Sequence, residues 1–94
     1  MSANPNPIGV ASTMYTGQAT VSSEQLLLPG RPGRRGLVIS NAGNNDVEIG
    51  GSSTVTTGNG FDIPSKSVTP IMPYDGPIYI VAASADLVSW IEFV

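Results

Sequence analysis

The sequence predicts an all-β protein, one compact antiparallel β-sandwich or jelly roll of about eight short strands with an extended N-terminal arm. In several short segments apolar and polar residues alternate with a period of two, the spacing of half-buried strands. Turn signals recur every 8–12 residues, as in two-layer sandwiches. Eleven glycines and eight prolines in 94 residues suit tight turns and disfavour long helices.

The first sixteen residues show no periodicity, and we assign 1–16 to an extended arm and 17–94 to the β-sandwich domain. The stretch NPNP at 4–7 favours extended or turn conformations. Two interpretations remain open: a solvated, disordered tail, or an arm that becomes ordered along a neighbouring subunit. Apolar side chains in the segment suit the second, and we take four as candidate partner contacts: Ile8, Val10, Met14 and Tyr15.

Two short segments follow the arm. Residues 18–23 alternate small apolar and polar side chains and predict a first strand. Residues 25–28, with three consecutive leucines, suit either a strand buried on both faces or a single helical turn.

The segment PGRPGRRG at 29–36 predicts a loop, because it contains two Pro-Gly pairs. It also holds three of the four cationic residues of the chain, Arg31, Arg34 and Arg35. Three interpretations are open: a solvated loop that anchors carboxylates, a contact patch for an acidic partner surface, or a phosphate site. The last lacks the spacing of a Walker motif.

The segment RRGLVISNAGNNDVEIG at 34–50 predicts a β-hairpin around which the domain is organised. If its two strands fold back symmetrically about Gly43, then Leu37 faces Ile49 and Ile39 faces Val47. All four side chains then share one face, because side chains alternate along a strand.

The middle of the chain predicts shorter pieces. Ser53–Thr57 is β-prone, and Phe61–Ile63 is a strand fragment that ends at Pro64, which indicates a sheet edge. Lys66–Met72 alternates, but Pro70 places it at an edge or a bulge. Residues 73–77, PYDGP, predict a turn.

The last two strands, predicted at 78–83 and 87–94, form a second predicted hairpin and are apolar on both faces. Because an antiparallel sheet with one solvated face should show polar residues there, we expect one face to be covered by the second sheet and the other by a partner. Trp90 is the candidate interface anchor, since tryptophan is enriched at interface centres. The alternative is that Trp90 is an ordinary core residue.

Composition argues against most catalytic chemistry, and we expect a protein that is not an enzyme and has no cofactor. The chain has no histidine and no cysteine, which removes the commonest base, the usual nucleophile partners and thiolate metal sites. The seven acidic residues are scattered, and most lie in or beside predicted turns. Asn41–Asp46 offers closely spaced oxygen ligands but lacks the pattern of an EF-hand loop.

Charge and hydropathy also limit the partners. A net charge of −3 does not suit a nucleic-acid binder, which normally shows a basic stripe. No segment approaches the ~20 apolar residues of a membrane span. We therefore expect neither a nucleic-acid partner nor a membrane partner.

The chain from about residue 18 to residue 94 resembles the small β-sandwich virion proteins of tailed bacteriophages. The resemblance lies in strand-and-turn segments: RGLVISN at 35–41, VEIG at 47–50, VT at 55–56, NGFDI at 59–63 and GPIYIVAA at 76–83. It implies a capsid decoration (cement) protein or a small head or tail accessory protein, and it implies no catalytic residue.

The function expected from this resemblance is a structural virion protein that binds the outer head surface as a homo-oligomer, with a trimer favoured, and stabilises it. Its partners would be the major capsid protein or another virion protein, and it would be assembled in the host cytoplasm. The alternative is a receptor- or carbohydrate-binding module, or a small tail or fibre accessory protein, with Tyr74 and Trp90 as its only plausible stacking residues.

Overall fold

The computed structural model describes residues 12–94 and confirms the all-β prediction. Over these residues the chain forms eight strands and no helix, so none of it could span a membrane as a helix. The tetrad at 25–28 is a strand rather than a helical turn. The strands are β1 (Met14–Val21), β2 (Gln25–Leu28), β3 (Gly36–Asn41), β4 (Val47–Gly50), β5 (Phe61–Ile63), β6 (Ser67–Val68), β7 (Ile78–Ala82) and β8 (Asp86–Phe93).

The strands form two four-stranded antiparallel sheets. The first sheet has the order β1-β8-β3-β6 and the second β2-β7-β4-β5. The pairs β1–β8, β2–β7, β3–β6 and β4–β5 are those of one long hairpin wound around itself, which is the arrangement of a jelly roll. The central strands are therefore β8 and β3 in one layer, and β7 and β4 in the other.

The predicted hairpin at 34–50 is wrong in its pairing. β3 pairs with β8 and β6, whereas β4 pairs with β7 and β5, so residues 42–46 carry the chain from one sheet to the other. The connection has a physical reason: β8 offers β3 six paired residues, and five residues easily span the ~10 Å between packed sheets. The same correction applies to the last two strands, because β7 and β8 also belong to different sheets.

The core lies between the two sheets and contains the side chains that the alternation assigned to it. Leu37 and Ile39 from β3, and Val47 and Ile49 from β4, are all buried, although they come from opposite layers. Ile78 and Ile80 from β7 and Val88 from β8 are buried as well. The core residues are Val21, Leu27, Leu28, Leu37, Ile39, Val47, Ile49, Ile63, Ile78, Ile80, Ala82 and Val88.

The predicted boundary between arm and domain falls inside β1. This strand begins at Met14, because Met14, Tyr15 and Thr16 pair with the last residues of β8. The backbone N–H groups of Ser12 and Thr13 donate to the Val94 carbonyl, each at 3.0 Å. The predicted arm thus overlaps the first strand by three residues, and residues 1–11 lie outside the part of the chain that the structure describes.

Two of the middle segments also differ from expectation. Ser53–Thr57 forms no strand, and Val55 is instead buried beneath a loop held by Asn59. Only two residues of the predicted 66–72 strand pair as β6, an edge strand, as Pro70 indicated. The chain beyond β6 still follows β3, because the amide of Met72 donates to the Leu37 carbonyl at 2.8 Å.

Candidate interaction surface

The outer face of the first sheet carries no charged side chain. Val88 on β8 and Leu37 on β3 point into the core, so the neighbouring residues at alternate positions of both strands point outward. The strand register places their partners on β1 and β6 on the same outer face. We call this surface the uncharged face. It consists of Met14, Thr16, Gln18, Thr20, Gly36, Val38, Ser40, Val68, Leu87, Ser89, Ile91 and Phe93.

The apolar residues of the uncharged face concentrate at one end of the sheet. Met14 pairs with Phe93, and Phe93 pairs on its other side with Gly36. A Cβ atom at Gly36 would lie 3.2 Å from both Phe93 Cδ2 and Ile71 Cγ2, so these two side chains flank the glycine. Met14 is 64% exposed and Ile71 65% exposed, which leaves an apolar surface open to solvent at this end.

The outer face of the second sheet is different, because it carries carboxylates. Glu48 pairs with Val81 on one side and with Asp62 on the other, so the two acidic side chains are neighbours. Desolvation, followed by repulsion from Asp46 and Glu48, raises the pKa of the Asp62 carboxyl. We call this surface the acidic face.

Arg34, a predicted partner contact, is buried in the structure, 5% exposed. Its guanidinium donates to Glu92 Oε1 at 2.9 Å and to three backbone carbonyls, those of Pro29, Tyr74 and Gly76. Glu92 is itself buried, on the inward side of β8. Arg34 therefore serves the fold, as in the carboxylate-anchoring interpretation of the loop, and its burial leaves little of the side chain for the contact role predicted for it.

The other two arginines of the loop are more accessible. Arg31 donates to the same carboxylate, with Nε 3.0 Å from Glu92 Oε1, and its guanidinium carbon lies 4.4 Å from the centre of the Tyr15 ring. Arg35 is exposed. Two arginines thus converge on one glutamate from 58 and 61 residues away, and Arg35 is left as the open cation of the predicted patch.

Trp90, the predicted anchor, lies on the inward side of β8 and packs against the core. Its ring covers Gly17 so closely that an added Cβ would clash with the ring atom Cζ2. This placement matches the alternative of an ordinary core residue. The outward positions of β8 belong instead to Leu87, Ile91 and Phe93.

Of the four contacts predicted in the arm, Met14 and Tyr15 lie within the described residues and the other two do not. Met14 is on the uncharged face, and Tyr15, 43% exposed, is beside Arg31. Ile8 and Val10 lie outside the described residues. Val38, Val68 and Ile71 also contribute to this surface although none of them was predicted as a contact, and the alternation within β3 is the sequence signal that indicates Val38.

The oxygen-rich segment at 41–46 is occupied by its own backbone contacts. The side-chain amide of Asn41 donates to the carbonyls of Asn45, Ile63 and Pro64, and Asp86 Oδ1 accepts from the backbone N–H of Asn45 at 3.0 Å. Within residues 12–94, no three acidic side chains come together as metal ligands would.

Comparison of the chain with protein-family models, with curated proteins and with solved structures found no match in any of the three.

Proposed function

We propose that this protein is a non-enzymatic structural virion protein of a tailed bacteriophage, a capsid decoration protein that binds the outer head surface as a homo-oligomer. The observation that supports an assembly role is the uncharged face. Charged side chains are depleted at the cores of interfaces, and exposed apolar patches mark contact sites.

The physical case rests on the contrast between the two outer surfaces. A solvated sheet face usually carries polar and charged side chains, as the acidic face does with Glu48 and Asp62. The uncharged face instead presents Met14, Phe93 and Ile91 without a charge beside them in the sheet. Burial of apolar area stabilises an assembly by roughly 25 cal/mol per Å² before the entropic costs of association.

The phage assignment depends on the resemblance of residues 18–94 to small virion β-sandwich proteins. A jelly roll with an apolar contact surface is compatible with that resemblance, but many unrelated proteins share this fold. A carbohydrate-binding role loses one of its two predicted stacking residues, because Trp90 is turned into the core. Tyr74 is 38% exposed, and its hydroxyl donates to the Pro77 carbonyl at 3.1 Å.

The test is co-sedimentation of the full chain with heads of the phage that encodes it, beside sedimentation of the protein alone. We expect saturable binding to heads and, at micromolar concentration, a species of three times the 9.7 kDa chain mass. Met14→Glu should weaken both. Leu26→Glu, an equivalent change at an exposed apolar residue of an edge strand in the other sheet, should weaken neither. A protein that sediments as a monomer and does not co-sediment with the heads would refute the proposal.

A further inference from the structure

An apolar groove opens where the edges of the two sheets meet. One wall comes from β4 and β5 with Ile49 and Phe61, the other from the segment after β6 with Pro70 and Met72, and Ile78 lies between them. Its volume is about 380 Å³, within the range of sites that take small ligands. Phe61, 63% exposed, forms one rim. The lining is almost wholly apolar, so the occupant that fits must be apolar as well.

We propose that this groove binds the segment Pro5–Val10 of a second copy of the chain, with Ile8 and Val10 as the inserted side chains. In an extended segment, residues two apart point to the same side, so both would enter the groove while Gly9 faces away. Two prolines in the segment, Pro5 and Pro7, favour an extended backbone.

The distance between the groove and Ser12 argues that the segment comes from another copy. Ser12 lies beside Val94, at the β1 edge of the first sheet, whereas the groove opens beyond β3 at the opposite edge. Strands are ~4.8 Å apart, so β3 is ~10 Å from β1 and the groove lies ~5 Å further. Val10 is two residues from Ser12 and reaches only ~7 Å. Within one chain, Val10 therefore falls short of the groove.

The strands that border the groove leave few backbone groups for an incoming segment. β5 and β6 are edge strands of only three and two residues, and such short edges limit strand addition, so the contact would depend on the inserted apolar side chains. A contact in which each copy gives a segment and receives one is heterologous, and it closes into a ring when the rotation allows. This contact rests on the proposed function in that both require copies of the chain to assemble. It adds that the segment Pro5–Val10 joins one copy to the next.

The test uses disulfide cross-linking, which the absence of native cysteine makes clean. Full-length Val10→Cys and Phe61→Cys proteins are purified separately, mixed and oxidised. We expect the mixed disulfide between position 10 of one chain and position 61 of the other. Its yield should be at least ten times that of the mixed disulfide between Val10→Cys and Gln18→Cys, a control at an exposed position on β1. Equal yields would overturn the proposal.

A second measurement separates exchange between copies from folding back within one chain. The double variant Val10→Cys/Phe61→Cys should form inter-chain disulfides, and dilution with an excess of wild-type chain should reduce their yield. An intra-chain disulfide that resists dilution would overturn the proposal. Circular dichroism checks that each variant is folded. Cross-linking without binding to phage heads would reject the proposed function and support this inference. Binding to heads without cross-linking would reject this inference and support the proposed function.

Discussion

The two outer faces of this sandwich are built on one core yet differ in chemistry. The acidic face has neighbouring carboxylates that repel each other, and because water screens that repulsion this face suits solvent. The uncharged face loses little when water is removed from it, because it holds no charge to desolvate. Both sheets have four antiparallel strands and bury one face in the shared core, although the longest strands of the first sheet have eight residues and the longest of the second has five. The comparison teaches that the two outer faces differ in charge, and charge is therefore the property on which the proposed contact surface is distinguished from the solvent-facing one.

The largest expected effect concerns the buried ion pair beneath the uncharged face. Glu92→Ala should lower the free energy of unfolding by about 3–5 kcal/mol, because it leaves the buried Arg34 guanidinium without its carboxylate. Urea denaturation measures the change, and Glu24→Ala, at an exposed glutamate, is the control. A loss below about 1 kcal/mol would show that the pair does not hold this end of β8.

The next effect separates the inside of the first sheet from its outside. Leu37→Ala or Ile39→Ala should lower the free energy of unfolding by roughly 2–5 kcal/mol, since both side chains are fully buried. Val38→Ala, between them on the uncharged face, should cost less than either. Equal losses at positions 37 and 38 in thermal or urea unfolding would mean that the inward and outward sides of β3 are assigned in reverse.

A matched pair of leucines tests the comparison of the faces directly. Leu87 on the uncharged face is 44% exposed, and Leu26 on the acidic face is 46% exposed. We expect Leu87→Glu to weaken self-association at least fivefold in analytical ultracentrifugation, about 1 kcal/mol. Leu26→Glu should leave it within twofold. If Leu26→Glu is the more harmful change, the contact surface is the acidic face.

The smallest effect is expected at Asp62. Its pKa is raised in the folded protein, so folding disfavours the charged form, and the destabilisation appears as the pH rises through the range where carboxyls titrate. Asp62→Asn should therefore raise the melting temperature slightly at pH 7 and leave it unchanged at pH 3, where the carboxyl is protonated in both states. Glu24→Gln is the control. A lower melting temperature at pH 7 would contradict the assigned repulsion.

Several elements of the fold could be predicted from the sequence because they depend on local spacing. The alternation of Leu37 and Ile39, and that of Val47 and Ile49, identified buried side chains in both strands. Prolines identified the edges at β5 and β6. The candidate surface was only partly predictable. The sequence predicted an apolar outer side of β8 but assigned Trp90 to it. Trp90 is two residues from the buried Val88, so both side chains point inward.

By itself, the sequence determined the fold class, the turns and the inward side of most strands, because a period of two and the turn residues are local properties. Only the tertiary structure decided that β3 and β4 belong to opposite sheets and that Arg31 and Arg34 meet Glu92. The physical reason is that Leu37, Ile39, Val47 and Ile49 are buried whether β3 and β4 pair as a hairpin or lie in opposite sheets, because the inner faces of both sheets meet in one core. Strand pairing and ion pairing between residues about 60 positions apart depend on which backbones and charges the whole fold brings together.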